Sequence, residues 1–212
     1  KEKTLGTVRE GLRYAMARPD LYVVMALIFF ASTFGLNFQI FNALMATKEF
    51  GKGPASYGLL GTYVAIGSLA GALISARLER FRDSMLVVRL GVVFSLVVIA
   101  TAFMPTYWTY SLWLPIGGVS ALAMLISANS YVQVNSDPAV RGRVMGIYLL
   151  IFLGGTPLGS LFIGYMTEAV GVRETIFICG VIPLVAATLL WVFFKDKLQK
   201  PDDLRVSTIL KR

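Results

Sequence analysis

The chain has 212 residues, of which 56% are hydrophobic and only 15% are charged, whereas an average soluble domain has about 25% charged residues. The charges stand in short clusters between long apolar runs, so a soluble fold would lack the polar surface that water requires, while a lipid bilayer selects this arrangement. The net charge of +8 would suggest a nucleic-acid partner in a soluble protein, but here the basic residues flank apolar runs, and membrane topology explains them better than nucleic-acid binding does.

The first twenty residues are predicted to form a cytoplasmic linker that contains an amphipathic helix. Apolar side chains fall on one face at helical spacing and charged side chains fall on the other, which is typical of a helix along a membrane interface. The apolar face comprises Leu5, Val8, Leu12, Ala15 and Met16, and the charged face Arg9, Glu10 and Arg13. A solvated linker helix is the alternative. The chain begins Lys1-Glu2-Lys3, with neither Met nor an apolar signal region, so we expect a piece of a longer chain.

Six apolar stretches reach the length of about 20 residues that a helix needs to cross a bilayer. They are Leu21–Thr47, Tyr57–Ala76, Met85–Met104, Tyr107–Val134, Val144–Thr167 and Thr175–Phe194. Only Pro105 and Thr106 separate the third stretch from the fourth, so that connection is predicted to be a tight hairpin. We therefore expect an all-α membrane protein with a linker at 1–20, a six-helix transmembrane bundle at 21–194 and a cytoplasmic tail at 195–212.

The lysines and arginines predict the orientation in the membrane. Of the 20 such residues, all except Lys48, Lys52 and Arg173 lie on one side of the predicted spans or just inside it. Cytoplasmic connections carry an excess of Lys and Arg. The distribution therefore predicts a multi-pass protein of the plasma (inner) membrane with both termini in the cytoplasm.

Uncharged polar residues within the spans are the candidates for a substrate path. Asn37 and Asn42 lie close to one face of the first span, whereas Gln39 is turned away by about 200°, and Asn129 and Gln133 lie near the cytoplasmic end of the fourth span. Such amides face other helices or a water-filled cavity, and interhelical hydrogen bonding is the alternative role. No Asp, Glu or Lys lies deep in a span, so this chain lacks the intramembrane carboxylate that commonly relays protons in a proton-coupled carrier.

Small residues pattern the second and fifth spans. Gly67 and Gly71, like Gly155 and Gly159, are separated by three residues, a spacing that lets two helix backbones approach closely. Pro157 removes one helix hydrogen bond deep in the fifth span. These residues predict close helix packing, with an irregularity at the proline.

Three segments resemble a known family. Residues 9–14 (REGLRY) and 18–21 (RPDL) look like the start of the second half of major facilitator superfamily exporters, in the group of the enterobactin exporter and the macrolide efflux proteins. Residues 137–146 (DPAVRGRVMG) resemble the signature of that group between the fourth and fifth helices of this half, and the Pro157-Leu158-Gly159 step also fits. The resemblance covers essentially the whole chain, and Arg141-Gly142-Arg143 is its most specific part.

The resemblance implies a fold of twelve helices in two halves, each built from two inverted three-helix repeats. This chain would be the C-terminal half of a secondary active transporter, completed by a missing N-terminal half, and would export small amphipathic molecules, as an antiporter, by alternating access. The superfamily signature Gly-x-x-x-Asp-Arg-x-Gly-Arg-Arg is reduced in residues 77–84 (RLERFRDS) to the Glu79-Arg80 step. The residues expected to form ion pairs at a cytoplasmic gate, or else to serve topology alone, are Arg77, Glu79, Arg80, Asp83, Arg141 and Arg143.

Two other classes of function compete with transport. A non-transport module, for assembly or regulation, would have no need for Asn37 and Asn42 to face one interior. A membrane-embedded enzyme would need catalytic carboxylates, histidines or a metal cluster at membrane depth, and the sequence has no histidine and only Cys179 as a cysteine. We therefore expect no enzymatic activity, no metal and no cofactor.

Overall fold

The computed structural model describes residues 8–78 and 83–198, and these residues form helices with short connections and no strands. The helices are α1 (Val8–Ala17), α2 (Pro19–Phe30), α3 (Phe38–Leu44), α4 (Pro54–Leu78), α5 (Ser84–Ala102), α6 (Tyr107–Asn135), α7 (Arg141–Val170) and α8 (Val172–Leu198), with π-helical turns at Ala31–Gly35 and Met45–Glu49.

Within the described residues, six helical stretches are long and apolar enough to cross a bilayer, and they confirm the predicted all-α membrane fold. We number them spans 1 to 6: Pro19–Glu49, Pro54–Arg77, Ser84–Ala102, Tyr107–Asn135, Arg141–Val170 and Val172–Lys195. The predicted tight hairpin joins spans 3 and 4, and there Thr106 caps α6 by accepting a hydrogen bond from the Thr109 backbone N–H. We call this side of the bundle the hairpin end and the opposite side, where α1 lies, the linker end.

The packing of the spans on one another reveals two repeats of three helices. Span 2 packs on span 4, and its counterpart, span 5, packs on span 1. Span 3 packs on span 4, and its counterpart, span 6, packs on span 1; spans 3 and 6 also pack on each other. Because each triplet contains an odd number of crossings, the second triplet is inverted relative to the first. This arrangement is the predicted inverted-repeat architecture of one major facilitator half.

Glycines bring span 2 into direct contact with the backbone of span 4. A Cβ atom built on Gly67 would overlap the carbonyl oxygen of Pro115, and one built on Gly71 would lie 2.7 Å from the carbonyl oxygen of Val119. Only a residue without a side chain fits at these two positions. The predicted packing role of Gly67 and Gly71 agrees with this geometry.

The equivalent contact in the second repeat joins span 5 to span 1. A Cβ atom on Gly155 would lie 2.8 Å from Oγ1 of Thr33, and one on Gly159 would overlap the Thr33 carbonyl oxygen. Helix α7 continues through Pro157, whose ring is exposed on its outer side. The two glycine pairs thus occupy corresponding places in the two repeats.

Span 1 is discontinuous, although the sequence analysis treated it as one continuous stretch. Helix α2 passes into the π-helical turn Ala31–Gly35, the chain bends at Leu36 and Asn37, and α3 begins at Phe38. The side-chain amide of Asn37 donates a hydrogen bond to the Thr33 carbonyl at 2.8 Å. A side chain that bonds to the backbone in this way competes with the regular helix ladder, so this bond helps to hold the break.

The spans differ strongly in how far the bundle covers them. Within the most apolar window of span 1, 67% of the residues are buried, whereas the corresponding shares are 22% in span 2 and 28% in span 5. Span 1 therefore runs through the middle of the bundle, while spans 2 and 5 present broad apolar faces outward.

Candidate substrate groove and gate residues

A groove of about 430 Å³ lies between spans 4 and 5, in the half of these spans nearest the linker end. This volume lies in the range of about 300–1,000 Å³ that is usual for small-molecule sites. The lining residues are Leu122, Leu125, Ile126, Asn129, Ser130 and Gln133 of α6 and Tyr148, Leu149 and Phe152 of α7. The groove thus combines apolar and aromatic walls with uncharged hydrogen-bonding groups, and none of its lining residues is charged.

The structure brings two of the predicted substrate-path residues, Asn129 and Gln133, together in this groove. They are one helical turn apart on α6, so they share a face. Neither side chain makes a hydrogen bond to another residue that the structure describes, whereas the nearby Asn135 side chain donates to the Tyr131 carbonyl at 3.0 Å. The two amides are therefore available to a molecule in the groove.

The other two predicted substrate-path residues lie inside the bundle, away from the groove. Asn37 is 3% exposed and Asn42 is 2% exposed. The Tyr110 hydroxyl of span 4 donates a hydrogen bond to Oδ1 of Asn42 at 2.8 Å, and Asn37 holds the break in span 1. Their substrate-path role stays a prediction, and the Asn42 bond fits the alternative of interhelical hydrogen bonding. Gln39, which is turned away from these two asparagines, is exposed.

A polar cluster at the linker end joins residues that the sequence pattern does not connect. The Arg18 guanidinium donates to both carboxylate oxygens of Asp20, at 2.9 and 2.5 Å, and the Tyr131 hydroxyl donates to the same carboxylate at 2.9 Å. The hydrogen bonds from Arg18 to Asp20 raise the pKa of Arg18 above its usual value. A Tyr14 hydroxyl accepts from the Asp137 backbone N–H at 3.1 Å. This cluster fastens α1 and the start of span 1 to the end of span 4.

The predicted gate arginines of the connection between spans 4 and 5 have different surroundings. Arg143 forms an ion pair with Glu10 of α1, with 3.0 Å between Nη1 and Oε2. Arg141 donates from Nη2 to the Ser136 carbonyl at 3.3 Å, and its buried Nε has no hydrogen-bond partner among the described residues. The two arginines thus hold α1 and the connection itself against the start of α7.

The predicted gate residues between spans 2 and 3 are only partly within the described chain. Glu79 and Arg80 lie outside the described residues. Arg77 is exposed in the last turn of α4, and Asp83 caps α5 by accepting a hydrogen bond from the Met85 N–H at 3.2 Å. Within residues 8–78 and 83–198, no ion pair joins Arg77 or Asp83 to the other predicted gate residues.

An arginine at the hairpin end, which the sequence analysis used only for topology, joins three elements. Arg173 forms an ion pair with Glu49 at 2.9 Å and donates to the carbonyls of Ala102 and Met104 at 3.0 and 2.8 Å. Its guanidinium also lies over the ring of Phe50, 5.8 Å from the centroid. The residue therefore ties the outer end of span 1 to the hairpin and to α8.

A second groove, of about 710 Å³, lies between α5 and α8 at the hairpin end. Its lining is apolar and aromatic apart from Arg173 and Glu174. Since Arg173 is already committed to Glu49 and to two backbone carbonyls, this larger groove offers fewer free polar groups than the groove with Asn129. We therefore place the candidate substrate site in the smaller groove.

Comparison with known proteins agrees with the fold. The sequence profile of a family described as transmembrane secretion effector matches residues 1–210. The multidrug efflux pump Tap of Mycolicibacterium fortuitum is 27% identical over 198 residues, which are 91% of this chain and 47% of the pump. The uncharacterized MFS-type transporter YvqJ of Bacillus subtilis is 20% identical over 194 residues, or 90% of this chain and 45% of that protein.

A third relative is the uncharacterized MFS-type transporter Ent638_1421 of Enterobacter sp. (strain 638), which is 24% identical over 107 residues, or 50% of this chain and 28% of that protein. The chain spans less than half the length of each of these three relatives. Because the family profile covers nearly the whole chain, the protein belongs to the transmembrane secretion effector family of the major facilitator superfamily, and it is a multi-pass membrane protein of a transporter family rather than an enzyme.

Proposed function

We propose that this chain forms the C-terminal half of an exporter that moves small amphipathic molecules out of the cell by alternating access. The observation that carries the proposal is the groove between spans 4 and 5, where the unpaired amides of Asn129 and Gln133 stand among apolar walls. An amphipathic molecule needs such a combination, because its apolar part requires burial while its few polar groups require partners.

Two observations support the proposed half-transporter arrangement: the length of the matched relatives and the exposed faces of spans 2 and 5. The matched relatives are more than twice as long as the matched segment, and spans 2 and 5 leave broad faces uncovered. A missing N-terminal six-helix half would cover part of these faces and supply the second wall of the substrate path. In this arrangement residues 1–20 are the linker between the halves, 21–194 form the bundle and 195–212 the tail.

We further propose that the protein lies in the inner membrane, with both termini in the cytoplasm, and works as an antiporter. The distribution of Lys and Arg supports the orientation. The multidrug efflux pump among the relatives supports outward transport. The groove lies in the half of spans 4 and 5 nearest the linker end, which in this orientation is the side from which an exporter takes its substrate.

The proposal is tested by replacing both groove amides, Asn129→Ala with Gln133→Ala, in the intact transporter. Each lost neutral hydrogen bond contributes about 0.5–1.5 kcal/mol, so we expect efflux of amphipathic dyes to fall about tenfold at unchanged membrane abundance. Thr188→Ala is the matched control, because Thr188 is exposed on α8 and its hydroxyl bonds only to the Leu184 carbonyl of its own helix. Wild-type efflux by the double variant would remove the groove from the substrate path.

We propose that six charged residues form ion pairs at a cytoplasmic gate of the transporter. They are Arg77, Glu79, Arg80, Asp83, Arg141 and Arg143. The test with the clearest structural basis is Arg141→Gln with Arg143→Gln. The Arg143–Glu10 pair is partly exposed and contributes at most about 1 kcal/mol, so Arg141, with its half-buried contact to Ser136, should account for more of the loss. We expect reduced export with unchanged orientation, because many other basic residues still favour the same side. Export at the wild-type rate would leave these arginines as topology determinants alone.

A further inference from the structure

Helix α1 lies alongside span 5 rather than beyond its end. A Cβ atom on Gly11 would be 2.9 Å from Cβ of Arg143 and 3.1 Å from Cδ1 of Ile147. Since Arg143 and Ile147 are one turn apart in the first two turns of α7, α1 lies at the level where span 5 enters the bilayer. Only Arg18 separates α1 from span 1, and its hydrogen bonds to Asp20 hold that junction, so α1 is held at the membrane boundary.

The face of α1 that points away from Gly11 is both apolar and cationic. Leu12 is 46% exposed and Met16 is 64% exposed, and Arg9 and Arg13 are exposed beside them. At 100° per residue these four side chains occupy a sector about 100° wide. The sequence pattern groups Leu12 and Met16 with Ala15 on one apolar face. The bundle, however, covers only the side of α1 that carries Gly11 and Ala15.

The two arginines of this face have no protein partner among the described residues. Arg9 and Arg13 make no ion pair there, whereas Glu10, at the border of the face, is already paired with Arg143. Two unpaired cations next to two exposed apolar side chains match the chemistry of an anionic membrane surface. On such a surface, apolar side chains of an amphipathic helix enter the boundary between headgroups and acyl chains, and cations are attracted to the anionic headgroups.

We propose that Arg9, Leu12, Arg13 and Met16 form a binding surface for anionic phospholipids of the cytoplasmic leaflet. The proposal rests on the proposed cytoplasmic position of the linker end. It does not depend on the substrate groove, so the lipid-binding proposal and the substrate-site proposal can fail separately. Lipid bound to this surface would hold α1, and through Glu10 the start of span 5 at Arg143, in place at the membrane boundary.

The surface is tested in the intact transporter in nanodiscs, with accessible cysteines removed and a bimane fluorophore on Met16→Cys. Quenching is compared between phosphatidylglycerol and phosphatidylcholine that carry a nitroxide near the top of an acyl chain, each at the same mole fraction. We expect stronger quenching by the anionic lipid, and a weaker preference at high salt. An arginine near an anionic surface contributes about 1 kcal/mol, or about fivefold. Arg9→Gln with Arg13→Gln should therefore reduce the preference by at least about fivefold.

Two matched variants separate lipid recognition from a change in fold. Arg9→Lys with Arg13→Lys keeps both charges and should keep the preference for the anionic lipid. Lys195→Gln removes an exposed cation from α8 and should leave quenching at position 16 unchanged. Equal quenching by both lipids would overturn the proposal, because it would show membrane contact without headgroup selection. Quenching by neither lipid would also overturn it, because the face would then be covered by protein or by water.

Discussion

Replacing Gly159 by alanine tests the closest contact between span 5 and the broken helix of span 1. The new Cβ atom would overlap the carbonyl oxygen of Thr33 and lie 2.8 Å from the Asn37 amide nitrogen that stabilises the break. A backbone carbonyl cannot rotate away as a flexible side chain can. Helix α7 would therefore have to move outward along its contact with span 1.

The loss of stability in Gly159→Ala is compared with a control substitution at a glycine of the same helix that has free space around it. A Cβ atom on Gly154 meets no atom within 4 Å, so Gly154→Ala keeps only the gain in helix propensity of about 0.8–1 kcal/mol. Gly159→Ala has the same gain but adds an overpacking cost of about 1–3 kcal/mol. Since 1 kcal/mol shifts the Tm of a chain of this size by roughly 2–4 °C, we expect Gly159→Ala to melt about 2–12 °C below Gly154→Ala.

The chain contains its own reporter for this measurement. Cys179 is its only cysteine, and it is buried, so a thiol-specific fluorogenic dye reacts with it only as the bundle opens. Both variants are heated in the same detergent with this dye, and their midpoints are compared directly. If the two midpoints agree within about 1 °C, the overpacking cost is absent, and the close approach of α7 to the Thr33 carbonyl is wrong.

The repeat symmetry predicts the same difference in melting temperature in the other triplet. A Cβ atom at Gly67 would overlap span 4, whereas one at Gly61 has open space, so Gly67→Ala should melt about 2–12 °C below Gly61→Ala. Equal midpoints would contradict the close contact between spans 2 and 4. Tyr110→Phe leaves the buried amide oxygen of span 1 without its hydroxyl donor, at a cost of about 1–3 kcal/mol, and an unchanged midpoint in the same dye assay would show that this bond contributes nothing. In cysteine-free protein, Lys52→Cys should react with an impermeant maleimide from outside and Asp137→Cys only after permeabilisation, and labelling of both from one side would overturn the predicted topology.

The spans, and the position of Asn129 and Gln133 near one end of span 4, were predictable because they depend on local spacing. A run of about 20 apolar residues is a strong signal for a membrane-crossing helix, and the hairpin follows from the shortness of the Pro105-Thr106 connection. Asn129 and Gln133 share a face because they are four residues apart, whichever helix packs beside them. The structure differs mainly at span ends, where the helices continue past the apolar run to residues such as Glu49 and Arg77.

The pairs that fasten the bundle were not predictable from one sequence, because their members lie far apart in the chain. Tyr131 and Asp20 are separated by 111 residues, and Arg173 and Glu49 by 124. A sequence shows that such residues are polar and near span ends, but it does not show which two will meet. The sequence likewise shows that Leu12 is on the apolar face of α1, but it does not show that the bundle leaves this side chain 46% exposed.

The break in span 1 lies in a segment that lacks the usual local signal for an interrupted helix. Proline is the usual marker of an interrupted membrane helix, yet α7 runs without interruption through Pro157, while span 1 breaks at a segment that contains no proline. Backbone groups freed from a helix ladder are tolerated in a bilayer only where protein covers them. Span 1 is the most buried span, Asn37 satisfies the Thr33 carbonyl, and Gly159 lets α7 close over the break. The break therefore depends on the surroundings that the folded bundle provides, and these are the part of the structure that local spacing does not encode.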